Sequence, residues 1–382
     1  MRRWFTLGCL ACLIPSTAPA AISETTMVPM RDGVQLETWV YRPSRPGTYA
    51  SILIRSTYGN ELPAELMPIV CDGLKLVLVS QDTRGRYESE GVDDVFMSDG
   101  WSENQDGYDT IDWIIAQPWS DQQVGMIGAS ALGVTTFMAI GAMHPALKAA
   151  HIGLAPWTFY DAVYPGGAFR SALLTDWLED QDASYMLDTY MAHPRYDTLW
   201  ESLDMRTRAE LVTLPIYHYG GWHDVFTEGP LDAFSTLQGG GVNGETGYQR
   251  LLMGPWTHVD EGAFSTVQGE LTYPEDSIMP LGDANPIAWF GHYLQGKPHP
   301  YSDEGPVRFY VMGDVDAPES PGNRWEQALE WPVPAVDQSL FLRSDRALSW
   351  TAPEGDAAPL SLSLIHISEP TRLRRISYAV FC

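Results

Sequence analysis

Val124-Gly125-Met126-Ile127-Gly128-Ala129-Ser130-Ala131-Leu132-Gly133 is the stretch on which the reading of this chain turns. An apolar run of strand type leads into a serine flanked by small residues, and a helix-compatible stretch, Ala131 to Met143, follows. A strand, a tight turn and a helix in that order lift a serine hydroxyl clear of a sheet edge. They also aim the helix N-terminus at the negative charge that its attack would create. Small neighbours are needed because the turn is tight. The usual pentapeptide has Gly two residues after the serine; here Leu132 stands there and Gly133 follows.

Working outward, Met27 to Pro43 alternates around Arg31-Asp32-Gly33 and reads as a hairpin feeding a sheet. Ala50 to Ile54, Leu76 to Ser80, Ala149 to Leu154, Pro215 to Tyr219 and Arg250 to Met253 read as buried strands, with a helix over Asp106 to Ala116. Apolar strands spaced by helical patterns predict an α/β fold with a mostly parallel sheet covered on both faces. Trp157 to Leu211 is helical and aromatic-rich and holds no clear strand, so it reads as a helical cap over the C-terminal edge of the sheet. Lys297-Pro298-His299-Pro300 signals a linker, and Val307 to Met312 and Ser339 to Leu342 alternate as strands. The expected division is a catalytic domain over 21–300 and the start of a truncated all-β domain over 301–361.

The 382 residues carry 49 acidic against 23 basic side chains, a formal charge of −26, with lysine only at Lys75, Lys148 and Lys297. Such a charge repels nucleic acid and anionic membrane surfaces, so neither is an expected partner. Arg2 and Arg3, the apolar run Trp4 to Ile14 and the small-x-small site Ala18-Pro19-Ala20 predict a signal peptide over 1–20 and a secreted or periplasmic protein. Leu362 to Arg372 reads as the translation of a common transposase-type sequencing adapter, and Ile376 to Cys382 as that of its outer end. The tail 362–382 is therefore expected to be an assembly artefact, with the gene continuing past Ser361. Outside leader and tail the cysteine is Cys71, which reads as a small buried hydrophobe.

A serine needs a base, usually His, oriented by a buried carboxylate. With the nucleophile first, the acid and then the His are expected on loops after later strands. Asp224, in Tyr219-Gly220-Gly221-Trp222-His223-Asp224, and His258, in Gly254-Pro255-Trp256-Thr257-His258, occupy those slots. His218 reads as a core residue and His223 as pointing away; Asp260 and Glu261 read as solvated loop charges. His218 and His223 lack a third partner at diagnostic spacing, so no metal and no cofactor is expected.

Met30-Arg31-Asp32-Gly33-Val34-Gln35-Leu36, Arg55-Ser56-Thr57-Tyr58-Gly59, Gln81-Asp82-Thr83-Arg84-Gly85-Arg86, Ser89-Glu90-Gly91, Asp109-Thr110-Ile111-Asp112-Trp113 and Gln117-Pro118-Trp119 occur in order with the two segments just quoted. From about 27 to 332 the chain resembles the cocaine esterase / X-prolyl dipeptidyl peptidase family. The resemblance implies an α/β-hydrolase with a helical cap and a C-terminal jelly roll, with Ser130, Asp224 and His258 as triad. It also implies that the Tyr58 hydroxyl and the Ala131 N–H form the oxyanion hole. Two departures stand out. Ala131 replaces a common Tyr, and Phe226 and Thr227 stand where members that hydrolyse α-amino acid esters carry acidic residues. Phe226, and Trp177 after Gly166-Gly167-Ala168, resemble the acyl pocket of the esterase branch. The expectation is a secreted serine hydrolase acting on a small-molecule ester, or a short peptide, with a bulky apolar acyl group. An X-Pro dipeptidyl aminopeptidase or α-amino acid ester hydrolase is the alternative within the class. A non-catalytic binding protein or inactive truncated fragment is the alternative outside it.

Overall fold

The computed structural model describes residues 22–352 apart from 61, 240–248, 259–261, 281, 283, 300, 302–303, 318–319 and 344–346. The expected signal peptide, the adapter-like tail, Asp260 and Glu261 lie outside the described residues.

The first strands, β1 (Ile22–Pro29) and β2 (Gln35–Arg42), pair antiparallel across the expected turn, where Gly33 sits at φ 88°. Then come β3 (Tyr49–Ser56), β4 (Val77–Asp82), β5 (Ser120–Ala129), β6 (Leu147–Gly153), β7 (Ile216–His223) and β8 (Gln249–Thr257). Their spatial order is β1-β2-β4-β3-β5-β6-β7-β8, antiparallel between β2 and β4 and parallel from there on. Each apolar run singled out between Ala50 and Met253 falls on one of these strands, with its ends displaced by one to four residues.

The sheet continues beyond β8. After the short hairpin β9 (Val267–Gln268) and β10 (Leu271–Thr272), β11 (Val307–Val311) pairs parallel with β8, and β12 (Arg324–Ala328) closes the edge antiparallel. Val307 to Val311, expected to open the all-β domain over 301–361, thus lies in the central sheet. The reason is burial. Val307 and Tyr310 are buried while the residues between them are half-covered, so a strand near the sheet edge carries the same uneven pattern as a sandwich strand. A ribbon of β13 (Phe341–Leu342) and β14 (Leu348–Ser349) follows as a C-terminal β region.

The helices are α1 (Met67–Leu74), α2 (Asp106–Ile115), α3 (Ala131–Gly141), α4 (Phe159–Val163), α5 (Ser171–Asp180), α6 (Met186–Ala192), α7 (Thr198–Glu201), α8 (Glu228–Leu237) and α9 (Pro286–Gln295). Strand alternation sends side chains to two cores. Leu53 joins Val79, Met126, Ile111 of α2 and Phe137 of α3; its neighbour Ile52 joins Trp256 and, from α9, Trp289 and Phe290. Gly125 is small for this reason, since a Cβ there would lie 2.6 Å from the Phe290 ring.

Helices α4 to α7 and a 3₁₀ turn (Met205–Leu211) form the cap between β6 and β7. Rings of Tyr160, Tyr164, Tyr190 and Trp200 pack against one another inside it. Leu178, Tyr190 and Trp200 belong to the same buried cluster as Val124 and Met126, so the cap shares the core of one sheet face.

Just after β4, Arg84 forks onto Asp106 (2.7 and 3.0 Å) and reaches Asp32 (2.6 Å), tying the first hairpin to the start of α2. Asp106 is fully buried. Arg84→Met leaves it without its cation, and the expected loss is about 3–5 kcal/mol of unfolding free energy. Urea denaturation measures this, and an unchanged midpoint contradicts it.

Candidate active site

Ser130 occupies the turn between β5 and α3 at φ 55°, ψ −126°, in the left-handed half of backbone space that non-glycine residues avoid. Three neighbours hold it there. A Cβ on Gly128 would lie 2.1 Å from the Leu132 carbonyl oxygen, and one on Gly133 would lie 2.5 Å from the Ala155 methyl group. The Ser130 N–H donates to the Gly153 carbonyl at the end of β6 (3.0 Å). The displaced glycine noted in the sequence therefore works at 133, where α3 crosses β6 closely.

Asp224 follows β7 and His258 follows β8, and adjacent parallel strands bring their loops together. Ser130 Oγ is 2.8 Å from His258 Nε2, and His258 Nδ1 is 2.8 Å from Asp224 Oδ2. The carboxylate only accepts, so Nδ1 carries the proton and Nε2 is left to accept from the serine hydroxyl. The Asp224 side chain is fully buried, and its other oxygen accepts the Phe226 N–H (2.5 Å). The structure thus brings together all three residues expected as the triad.

The oxyanion candidates stand beside the serine. Ala131 is the first residue of α3, where a backbone N–H has no partner within the helix. The Tyr58 hydroxyl accepts the indole N–H of Trp177 (3.0 Å). Burial pushes the Tyr58 phenol pKa up, opposed by hydrogen bonds to Trp177 and to Ser130. A phenol shifted that way stays protonated, as an oxyanion donor must be.

Phe226 meets the His258 ring edge-on (centroids 5.1 Å apart, 89° between planes), and the Arg170 guanidinium lies 5.8 Å above the Phe226 ring. The residue thus buttresses the imidazole. Beside it a cleft of about 220 Å³ is lined by Asp161, Arg170, Phe226, Glu228 and Asp232. Sequence reasoning missed this acidic lining. Asp161 lies in the cap, while Glu228 and Asp232 lie one helical turn apart on α8. No short motif joins them.

The other histidines are placed as core or surface. His218 is buried and hydrogen-bonded to Gln249 (3.0 Å), and burial lowers its pKa to about 4. His223 is exposed and pairs with the Tyr273 hydroxyl (3.0 Å). Cys71 is buried, its thiol pKa pushed up to about 11 by burial, consistent with a packing role.

Fold and site together define the α/β-hydrolase class. The chain belongs to the X-Pro dipeptidyl-peptidase (S15) family, whose pattern matches residues 32–182 and 172–260. It is 25% identical to the cocaine esterase of Rhodococcus sp. (strain MB1 Bresler) over 405 residues, covering 90% of this chain and 66% of that protein. Among solved structures, an aminopeptidase from the marine sediment archaeon Thaumarchaeota archaeon superposes with a TM-score of 0.66 at 23% identity, covering 92% of this chain and 66% of that one. A selenomethionine-labelled α-amino acid ester hydrolase gives 0.65 at 22%, covering 91% and 66%. The chain thus spans just under two thirds of the length of these relatives.

One buried carboxyl sits at the end of β4, beside the strand that leads to Tyr58. Asp82, at the end of β4 beside Ser56, is fully buried, and neither of its oxygens has a hydrogen-bond partner among the described residues. Burial, then the nearby Glu37, raises its pKa to about 7, against the pull of Arg86. An acid raised from 3.8 to about 7 on folding favours the native state while protonated. That contribution is lost as pH rises from about 4 through 7. Asp82→Asn is therefore expected to melt higher than the parent at pH 8 and no higher at pH 4, in paired thermal melts. Parallel pH profiles for the two proteins would contradict the assignment.

Proposed function

We propose that the protein is an exported serine hydrolase that cleaves carboxylic esters of a bulky apolar acyl group through an acyl-enzyme. The observation that carries this reading is the relay from Ser130 Oγ through His258 to buried Asp224, at 2.8 Å for each link. Ser130 Oγ attacks the ester carbonyl while His258 Nε2 takes its proton. Asp224 holds the imidazole in the required tautomer and stabilises its charge. The oxyanion accepts from the Ala131 N–H and the Tyr58 hydroxyl, at the positive end of α3. His258 then protonates the departing alcohol. Water activated by the same imidazole attacks the acyl-enzyme and frees the acid.

The apolar acyl preference is supported by Phe226 against the base, where its ring offers an aromatic wall and no charge. Export is supported by the N-terminal charged, apolar and small-residue pattern alone. A second reading, hydrolysis of a substrate bearing a free ammonium, is favoured by Asp161, Glu228 and Asp232 around the cleft beside Phe226. Arg170 lines the same cleft, and Arg206 lies 3.4 Å from Asp161; both compete for that negative charge.

Ser130→Ala is expected to abolish both turnover of a chromogenic aryl ester and labelling by a fluorophosphonate; persistent labelling overturns the nucleophile assignment. A panel pairing neutral aryl esters with an Ala-Pro anilide separates the two readings. Faster cleavage of the anilide favours the second.

A further inference from the structure

We propose that Trp177 is a positioning residue for the oxyanion hole: from cap helix α5 its indole N–H fixes the Tyr58 phenol beside Ser130. This rests on the hydrolase reading above and adds a device to it. An indole N–H can only donate, so the polarity of its 3.0 Å contact with the Tyr58 hydroxyl is unambiguous. With that side of the oxygen occupied, the phenol proton is turned away from the cap. A hydroxyl that accepts one hydrogen bond is also a better donor in the next.

The indole is itself held. Phe96 stacks on it (centroids 5.9 Å apart, 20° between planes), and Phe96 sits at φ 76°, a strained conformation for an aromatic residue. The backbone around Tyr58 is tied to the same helix a second time. Arg86 Nε donates to the Thr57 carbonyl (3.1 Å), while the rest of its guanidinium bonds the Gln181 carbonyl and its side-chain oxygen, directly after α5. Trp177 and Gln181 are one helical turn apart, so α5 grips the oxyanion loop through its side chain and through its terminus. The Tyr87 hydroxyl bonds the Tyr58 carbonyl as well (2.5 Å), so the backbone that carries the phenol is held on both sides of the Thr57–Tyr58 peptide. If the contact acts as described, a shift of the cap moves an oxyanion donor.

The test is a double-mutant cycle on the full chain. Trp177→Phe keeps an aromatic ring and removes the N–H; Tyr58→Phe removes its acceptor. In the parent background, Trp177→Phe is expected to lower kcat for a neutral aryl ester about three- to tenfold, the worth of one neutral hydrogen bond. KM should change less than kcat. In the Tyr58→Phe background the same change is expected to cost little more. Equal losses in both backgrounds, or no loss in the parent, overturn the proposal. Incorporating β-(3-benzothienyl)alanine at position 177 keeps both fused rings and replaces N–H by sulfur. It should reproduce the loss of kcat even if the Phe variant folds poorly.

A spectroscopic arm does not depend on turnover. The indole N–H resonance that disappears in Trp177→Phe should shift and exchange faster with solvent in Tyr58→Phe. An unmoved resonance refutes the contact. Inactivity of the parent, by contrast, speaks against the hydrolase reading and leaves this arm to decide the tether.

Discussion

The positive φ of Ser130 is the constraint around which the rest of the site is arranged. A non-glycine residue in that region costs about 1–3 kcal/mol and persists only where its surroundings leave no alternative. Here the surroundings are Gly128 and Gly133, which permit a crossing that any side chain would block, and the Gly153 carbonyl, which satisfies the serine N–H. Strand β6 supplies no triad residue, yet it is the floor on which the nucleophile is braced. β7 and β8, stacked beside it in parallel register, deliver the acid and the base at the same height.

Much of this was legible because it is written locally. The run Val124 to Ile127, the small residues around Ser130 and the helical stretch after it specify strand, turn and helix with no help from distant parts of the chain. Asp224 and His258 could be picked out since each stands just after a strand-like run, in the order such a site requires. The fate of Val307 to Val311 was not legible in this way. Whether an apolar strand joins one sheet or starts another depends on whether β8 offers it a free edge, and that is a fact about a partner rather than about the strand.

Side-chain contacts across long intervals were the least accessible. Trp177 was expected as a wall of the acyl pocket, from its resemblance to the esterase branch. Its hydrogen bond to Tyr58 spans 119 positions and follows from how α5 lies against the oxyanion loop. Phe226 was likewise expected in the pocket, and the structure adds its edge-on contact with His258. Arg86 stood in a quoted segment without an assigned task, because an arginine in a loop reads as solvated until its partners are seen.

The cap also bears on how such a protein can change over time. An inserted run of helices between two strands is where new substrates are ordinarily accommodated, since its residues can drift without disturbing the sheet. In this chain that freedom is uneven. Tyr160, Tyr164 and Trp200 make their ring contacts with one another and their side-chain hydrogen bonds to cap carbonyls, whereas Trp177 answers to Tyr58 as well. A lineage that reshapes the cap can repack the former against one another without touching Tyr58. It must keep an N–H donor at position 177 or find another way to steady the phenol, so substrate range and turnover are inherited together at that one side chain.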